Sequence, residues 1–128
     1  INKLAEAARA GVEVNLIIRG ICSMFTENIK FKKPIKAISI IDEYLEHARV
    51  IIFKNGGQQK VFISSADWMS RNLDYRLEVC CSITNTEIKN EILDIINIQL
   101  SDNCKARVID NAFQNKYVTN SLKPLRSQ

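Results

Sequence analysis

The sequence predicts a mixed α/β domain, in which a β-sheet is flanked by helices, and three observations support this fold class. Short β-branched and apolar runs recur as expected of strands, at residues 12–18, 35–40, 50–53, 61–63 and 75–83. Two other segments carry the 3.6-residue period of amphipathic helices. The length of 128 residues, with 46% hydrophobic content, suits one domain with its own core. We expect that domain over residues 1–117, and a flexible, polar tail over residues 118–128.

Both predicted helices have boundary signals. The apolar face over residues 2–10 should end at Gly11, because glycine accepts the left-handed conformation that often follows a helix. The second helix should begin with a capping box formed by Thr84 and Glu87. Its apolar stripe is expected to be a core face packed on the sheet, and comprises Ile88, Ile92, Ile95, Ile96 and Leu100.

The β-branched and aromatic pattern predicts a β-hairpin, with strands at residues 50–53 and 61–63. The Asn-Gly-Gly sequence at residues 55–57 suits the positive φ angles of a tight turn. Polar side chains precede the first strand and follow the second. We therefore expect four of them to gather at one end of the hairpin: His47, Arg49, Ser65 and Asp67.

His47 is the one histidine of the chain, and a lone histidine is more often a satisfied or solvent-facing side chain than a catalyst. Its neighbours favour another interpretation. Arg49 can neutralise phosphoryl oxygens, the imidazole can give or take a proton, and small polar groups can orient it. Asp42, Glu43 and Glu46 are close enough in sequence to orient the ring as well. The pattern indicates a site that handles a phosphoryl group.

Arg19 and Gly20 follow the strand predicted over residues 12–18. Ligands of open α/β sheets bind beyond the strand ends, and a guanidinium beside a glycine can hold a phosphate that the backbone approaches closely. An exposed arginine at the start of a loop is the alternative. Arg19 is therefore a second candidate for an anion contact.

Composition limits the class of protein. The net charge of +4 comes without a long run of like charges, which disfavours a nucleic-acid partner. The four cysteines lack metal-ligand spacing and fit reduced thiols, so we expect a cytoplasmic protein without its own metal ligands. No stretch approaches the roughly 20 apolar residues of a membrane span.

The hairpin motif resembles the signature of the phospholipase D superfamily, His-x-Lys followed by Gly-Ser-x-Asn. Arg49 stands in place of the lysine, and the superfamily's aspartate, glycine and asparagine are replaced by Lys54, Ser64 and Asp67. With these departures the sequence resembles the C-terminal catalytic half of polyphosphate kinases. The resemblance extends over residues 5–117, and its blocks are residues 18–22, 45–49, 55–57, 63–69 and 71–73.

This resemblance implies one of two phospholipase-D-like halves of an enzyme that reversibly transfers the terminal phosphoryl of ATP to polyphosphate. It places the phosphohistidine in the other half. It also implies that His47 is catalytic and contacts ATP, and that Arg19 holds a nucleotide phosphate. Further candidates for phosphate contact or site support are Arg49, Ser65 and Asp67.

The same resemblance implies Mg²⁺ as cofactor, with ligands outside this chain. The implied partners are ATP or ADP, inorganic polyphosphate, the upstream domains of the same polypeptide and, in the full-length enzyme, further copies in a homo-oligomer. Membrane association of that enzyme is left open. The chain begins at Ile1 rather than Met, as expected of a piece of a longer protein, and such a piece alone is expected to be inactive.

Two alternatives belong to other function classes: a phosphodiesterase or nuclease half-domain of the same superfamily, and a non-catalytic polyanion-binding domain. Arg49 and Lys54 count against the first, because the superfamily has Lys and Asp there. The ordered blocks around Arg19 and His47 count against the second.

Overall fold

A computed structural model describes residues 1–128, which form two compact units. The first unit comprises residues 1–46 and 97–128, and the second comprises residues 47–96. No helix in the structure combines the length and the apolar character needed to cross a membrane.

The first unit contains helix α1 (Asn2–Ala10) and a three-stranded sheet of mixed direction. Strand β2 (Lys36–Ile40) lies in the centre of that sheet, parallel to β1 (Asn15–Ile17) and antiparallel to β6 (Ala106–Val108). Its apolar cluster is centred on three buried residues, which are Ala8, Val14 and Ile35.

The second unit contains an antiparallel sheet in the order β3-β4-β5. These strands cover Val50–Phe53, Lys60–Ser64 and Cys80–Ile83, respectively. The short helix α2 (Ser70–Leu73) lies between β4 and β5 in sequence. Helix α3 (Thr86–Leu100) follows β5 and continues past residue 96 into the first unit.

The predicted α/β class is confirmed, but the strands form two small sheets rather than one. Two strands are also shorter than predicted. The strand predicted over residues 75–83 is ordered as a strand only at Cys80–Ile83, because β4 ends at Ser64, which pairs with Cys80. Residues 75–78 therefore have no strand beside them. Strand β1 likewise covers Asn15–Ile17 rather than residues 12–18.

Local sequence signals placed α1 and the hairpin turn correctly. Gly11 ends α1 with φ 95°, and the helix is closed by backbone bonds to the carbonyls of Ala7 and Ala8. The Asn-Gly-Gly turn forms a single 3₁₀ turn at Asn55–Gly57, in which all three residues have positive φ. Strands β3 and β4 pair directly across it, with Val50 opposite Ile63.

Two predictions about α3 are wrong. The helix is capped by Asn85 rather than Thr84, since the Asn85 side-chain oxygen accepts the backbone N–H of Ile88 at 3.0 Å. The isoleucine stripe is also not a buried core face within this chain. Ile88 and Ile95 are about half exposed, at 49% and 48%, and Leu100 is exposed as well.

The C-terminal segment has specific partners, which its polar composition did not predict. The backbone N–H of Asn103 donates to the Leu125 carbonyl, and the backbone N–H of Leu125 donates to the Asn103 side chain at 2.7 Å. Arg126 and Gln128 also bind residues of the first unit through their side chains. The boundary predicted at residue 117 stays a prediction, whereas residues 125–128 are tied to the fold.

Asp102 is fully buried and connects the end of α3 to this segment. Its Oδ1 accepts the backbone N–H groups of Cys104, Lys105 and Ala106, and its Oδ2 accepts the backbone N–H and hydroxyl of Ser127, all within 3.0 Å. Burial alone would raise the pKa of Asp102, but these hydrogen bonds outweigh it and lower the pKa from 3.8 to about 2. The carboxylate is therefore held in its charged form.

We predict that Asp102→Asn lowers the free energy of unfolding at neutral pH by about 2–3 kcal/mol, because an amide cannot accept all of these bonds. The lowered pKa contributes stability that is present above pH 3.8 and is lost as the pH falls towards 2. The difference in the free energy of unfolding between the variant and wild type should therefore become smaller as the pH falls from 3.8 towards 2. Urea unfolding at several pH values measures it, with exposed Glu91→Gln as the control. Equal stability of Asp102→Asn and Glu91→Gln at neutral pH would contradict this role.

Candidate functional site

Three of the predicted site residues are in direct contact at the open end of the hairpin. Arg49 precedes β3, and its Nη1 donates to Nδ1 of His47 at 3.0 Å and to the His47 carbonyl at 3.1 Å. Its Nε donates to Oδ1 of Asp67, beyond the end of β4, at 3.0 Å. The Arg49 and Asp67 side chains are 21% and 26% exposed, so this ion pair is largely shielded from water.

The hairpin register brings these residues together. The backbone N–H of Ser64 donates to the Arg49 carbonyl at 2.9 Å, which extends the β3-β4 ladder by one step towards the site. The Ser64 hydroxyl then accepts the N–H of Ala66 at 3.1 Å and turns the chain. Asp67 consequently emerges beside the Arg49 guanidinium.

Ser65 lies next to this cluster but bonds elsewhere. Its hydroxyl donates to the Glu78 carboxylate and accepts the backbone N–H of Val79 at 3.0 Å. Glu78 also accepts the side-chain amide of Asn72 at 2.8 Å. The Ser65 and Asn72 hydrogen bonds, followed by the charges of Arg76 and Arg49, lower the pKa of Glu78. Ser65 therefore belongs to a network that fixes the loop after β4.

Sequence reasoning missed Glu78 and Asn72 as parts of this site. Asn72 is only 3% exposed, and its Oδ1 is buried without a hydrogen-bond partner. Glu78 lies in the segment over residues 75–83 that we predicted to be a strand. Neither residue carries a local sequence signal for this role, and the burial of Asn72 could not be known from the sequence.

Arg19 belongs to the first unit and follows β1, as predicted. Its side chain is partly buried, and its Nη1 is 3.5 Å from the Glu46 carbonyl, which is at the limit of a hydrogen bond. The guanidinium therefore lies beside the backbone of Glu46, in the same unit. A contact with nucleotide remains a prediction for this side chain.

The carboxylates before His47 bind the C-terminal segment. Asp42 accepts two bonds from Arg126, at 2.7 and 2.8 Å, and this partner lowers the pKa of the Asp42 carboxyl. Glu46 accepts the side-chain amide of Gln128 at 2.7 Å, and Glu43 pairs with Arg126 at 3.0 Å. We expected these carboxylates to orient the imidazole, whereas their side-chain partners are Arg126, Gln128 and, for Asp42, also Lys105 at 3.9 Å.

Metal binding has no evident site in this chain. No group of three or more His, Cys, Asp or Glu side chains lies close enough together to hold an ion. All four cysteines are free thiols. The residues present therefore do not fit a Mg²⁺ site of their own.

Comparison with known proteins decides the family. The family model described as "Polyphosphate kinase C-terminal domain 2" matches residues 1–128, the whole chain. This chain belongs to that family. The resemblance predicted from sequence is thereby confirmed.

Individual members of the polyphosphate kinase family agree with this assignment. The polyphosphate kinase of Escherichia coli (strain K12) is 50% identical over 118 residues, which are 92% of this chain and 17% of that protein. The polyphosphate kinase of Klebsiella pneumoniae is 47% identical, covering 100% of this chain and 19% of that protein. The chain thus spans less than a fifth of these relatives.

A solved structure of the same family has the same fold. The crystal structure of polyphosphate kinase from Porphyromonas gingivalis matches 98% of this chain, with a TM-score of 0.93 and 46% sequence identity. The match covers 19% of that longer chain. Residues of both compact units therefore have counterparts in that polyphosphate kinase structure.

Proposed function

We propose that this chain is one part of an ATP:polyphosphate phosphotransferase, which reversibly moves the terminal phosphoryl of ATP onto inorganic polyphosphate. The observation that carries this proposal is the match of a polyphosphate kinase family model to every residue of the chain. The cluster of His47, Arg49 and Asp67 supports it, because a cation and an imidazole side by side suit a phosphoryl group. The same match disfavours a phosphodiesterase or a non-catalytic domain.

His47 is proposed to contact the transferring phosphoryl as a hydrogen-bond donor and electrostatic stabiliser. ADP leaves as a stabilised phosphate anion, which scarcely needs a proton, so donation matters more than proton transfer when ATP is consumed. The phosphohistidine of the reaction is proposed to form outside this chain. His47 is the single histidine here, so no facing histidine is available within these residues.

Arg19 is proposed to hold a phosphate of the nucleotide. A guanidinium offers a planar pair of donors that matches two phosphate oxygens, and Arg19 lies just beyond the end of β1 with its side chain partly exposed. Ser65 supports the site through Glu78 rather than by contacting phosphate. Mg²⁺ would neutralise the nucleotide phosphates, with ligands outside this chain, and no step proposed here depends on it.

The remainder of the longer polypeptide is proposed as the main protein partner. Several large apolar side chains after β4 are exposed and lie close together in the sequence: Trp68, Leu73, Tyr75, Leu77 and Val79. Monomeric proteins rarely expose many large apolar side chains together, so we propose that another part of the enzyme covers them. The relatives have more than four-fifths of their length outside the matched stretch, which is enough to cover these side chains. We also propose that the full-length enzyme is a cytoplasmic homo-oligomer and that it does not bind nucleic acid.

We predict that Arg19→Ala in the full-length enzyme raises the KM for ATP more than Arg19→Lys does. Lysine keeps the charge and loses the bidentate geometry, whereas alanine loses both. Steady-state kinetics with ATP measures the difference. Arg9→Ala is the matched control, because Arg9 is an exposed arginine on α1. Indistinguishable ATP kinetics for wild type and both Arg19 variants would rule out the phosphate contact.

His47→Ala in the full-length enzyme should lower kcat by ~10²–10³-fold, because one preorganised contact to the transition state is lost. His47→Gln should keep more activity, since its amide can still donate. Both variants should unfold at the same urea concentration as wild type. Exposed Gln58→Ala, in the same hairpin, is the control.

Full activity of His47→Ala would refute the assignment of His47. Equal loss in His47→Ala and His47→Gln would instead show that proton transfer outweighs hydrogen-bond donation.

A further inference from the structure

The contact between Arg49 and His47 determines which ring nitrogen of His47 carries a proton. A guanidinium can only donate hydrogen bonds. Its Nη1 lies 3.0 Å from Nδ1 of His47, so Nδ1 must present a lone pair. The proton of the neutral ring therefore lies on Nε2, and Nε2 is left as the donor nitrogen.

The Arg49 guanidinium is itself fixed from two sides. Nε donates to Asp67, and Nη1 donates to both the ring and the backbone carbonyl of His47. Three donated bonds in one plane leave little freedom for the group to rotate. Only the two protons of Nη2 remain for another ligand. Arg49 is thus engaged chiefly with its own chain, although its motif position had suggested a phosphate contact.

Asp67 is held in turn by the loop after β4. The Asp67 carbonyl accepts the backbone N–H of Met69 at 2.8 Å, and Ser65 forms a backbone bond to the Val79 carbonyl at 3.0 Å. Asn72, which is almost fully buried, anchors the far end of the loop to Glu78. The loop therefore presents the Asp67 carboxylate at a defined place beside Arg49.

We propose that Arg49 and Asp67 are positioning residues, which hold the His47 ring as its Nε2–H tautomer so that Nε2 donates to a phosphoryl oxygen. The tautomer follows from the geometry alone. Its use in donation rests on the proposed phosphotransferase function. In water the two neutral tautomers interconvert, so an unheld ring would spend part of its time with its donor on the wrong nitrogen. Asp67 acts through Arg49, and neither residue needs to touch the substrate.

A nuclear magnetic resonance experiment tests the tautomer without any substrate. His47 is the only histidine, so the tag-free 128-residue chain labelled with ¹⁵N-histidine yields one set of imidazole resonances. At a pH where the free ring is neutral, we expect wild type to show a protonated Nε2 and an unprotonated Nδ1, without averaging. In Arg49→Met the resonances should move towards the tautomer mixture of free histidine. Exposed Arg71→Met is the matched control and should resemble wild type.

The proposal is overturned if wild type shows the free-histidine mixture or a protonated Nδ1, or if Arg49→Met leaves the ring resonances unchanged. Amide spectra report whether each variant is folded. If Arg49→Met is not, Asp67→Asn decides, because it keeps an oxygen acceptor for Nε but removes the charge that fixes Arg49. Asp67→Asn should then shift the ring part of the way to the mixture, and an unchanged ring would contradict the proposal.

Kinetics of the full-length enzyme test what the tautomer is used for. Arg49→Met should lower kcat on the order of 10²-fold while changing the KM for ATP little, because the group that orients His47 is lost rather than a substrate contact. Arg49→Lys should recover part of kcat. A rise in KM for ATP with kcat unchanged would show that Arg49 binds phosphate directly. None of these outcomes for Arg49 tests the proposed phosphotransferase function itself. A full-length protein that transfers no phosphoryl between ATP and polyphosphate would refute that function. The tautomer of His47, measured without substrate, would still stand.

Discussion

The shielded ion pair between Arg49 and Asp67 is the interaction on which the geometry of the site depends. It joins the residue before β3 to the loop after β4, and through Arg49 it also reaches the ring and the carbonyl of His47. Partial burial makes such a pair costly to break, because either partner alone would be a poorly solvated charge. The hairpin thus serves as a rigid support for one imidazole, and its antiparallel register makes the pair possible.

Polar anchors matter in this chain because its own apolar core is small. The most buried apolar side chains include Ala8, Val61 and Ala106, whereas many larger apolar residues remain exposed. In the first unit, Asp102 adds a polar anchor to this small core. Five hydrogen bonds converge on its buried carboxylate and join Ser127 to the end of α3. The exposed apolar surface is what a domain that occupies less than a fifth of its relatives would present to neighbouring domains.

The sequence predicted those features that depend on neighbouring residues. Gly11 marked the end of α1, and the Asn-Gly-Gly turn set the hairpin register that brings Arg49 to Asp67. Features that depend on distant residues were not predicted. Ser127, one of the partners of Asp102, lies 25 residues away, and nothing in a polar C-terminal segment distinguishes an anchored segment from a frayed one. The stripe on α3 has helical periodicity, but periodicity cannot tell whether the surface that covers it lies in the same chain.

We propose that this domain supplies groups that bind and stabilise the transferring phosphoryl, while the nucleophile lies outside this chain. Incubation of the purified 128-residue chain and of the full-length enzyme with γ-³²P-labelled ATP, followed by denaturing electrophoresis and autoradiography, tests it most directly. We expect acid-labile label on the full-length enzyme, including its His47→Gln variant, and none on the 128-residue chain. Stoichiometric label on the 128-residue chain that disappears in His47→Ala would show that His47 is itself the nucleophile, and would contradict this division of roles.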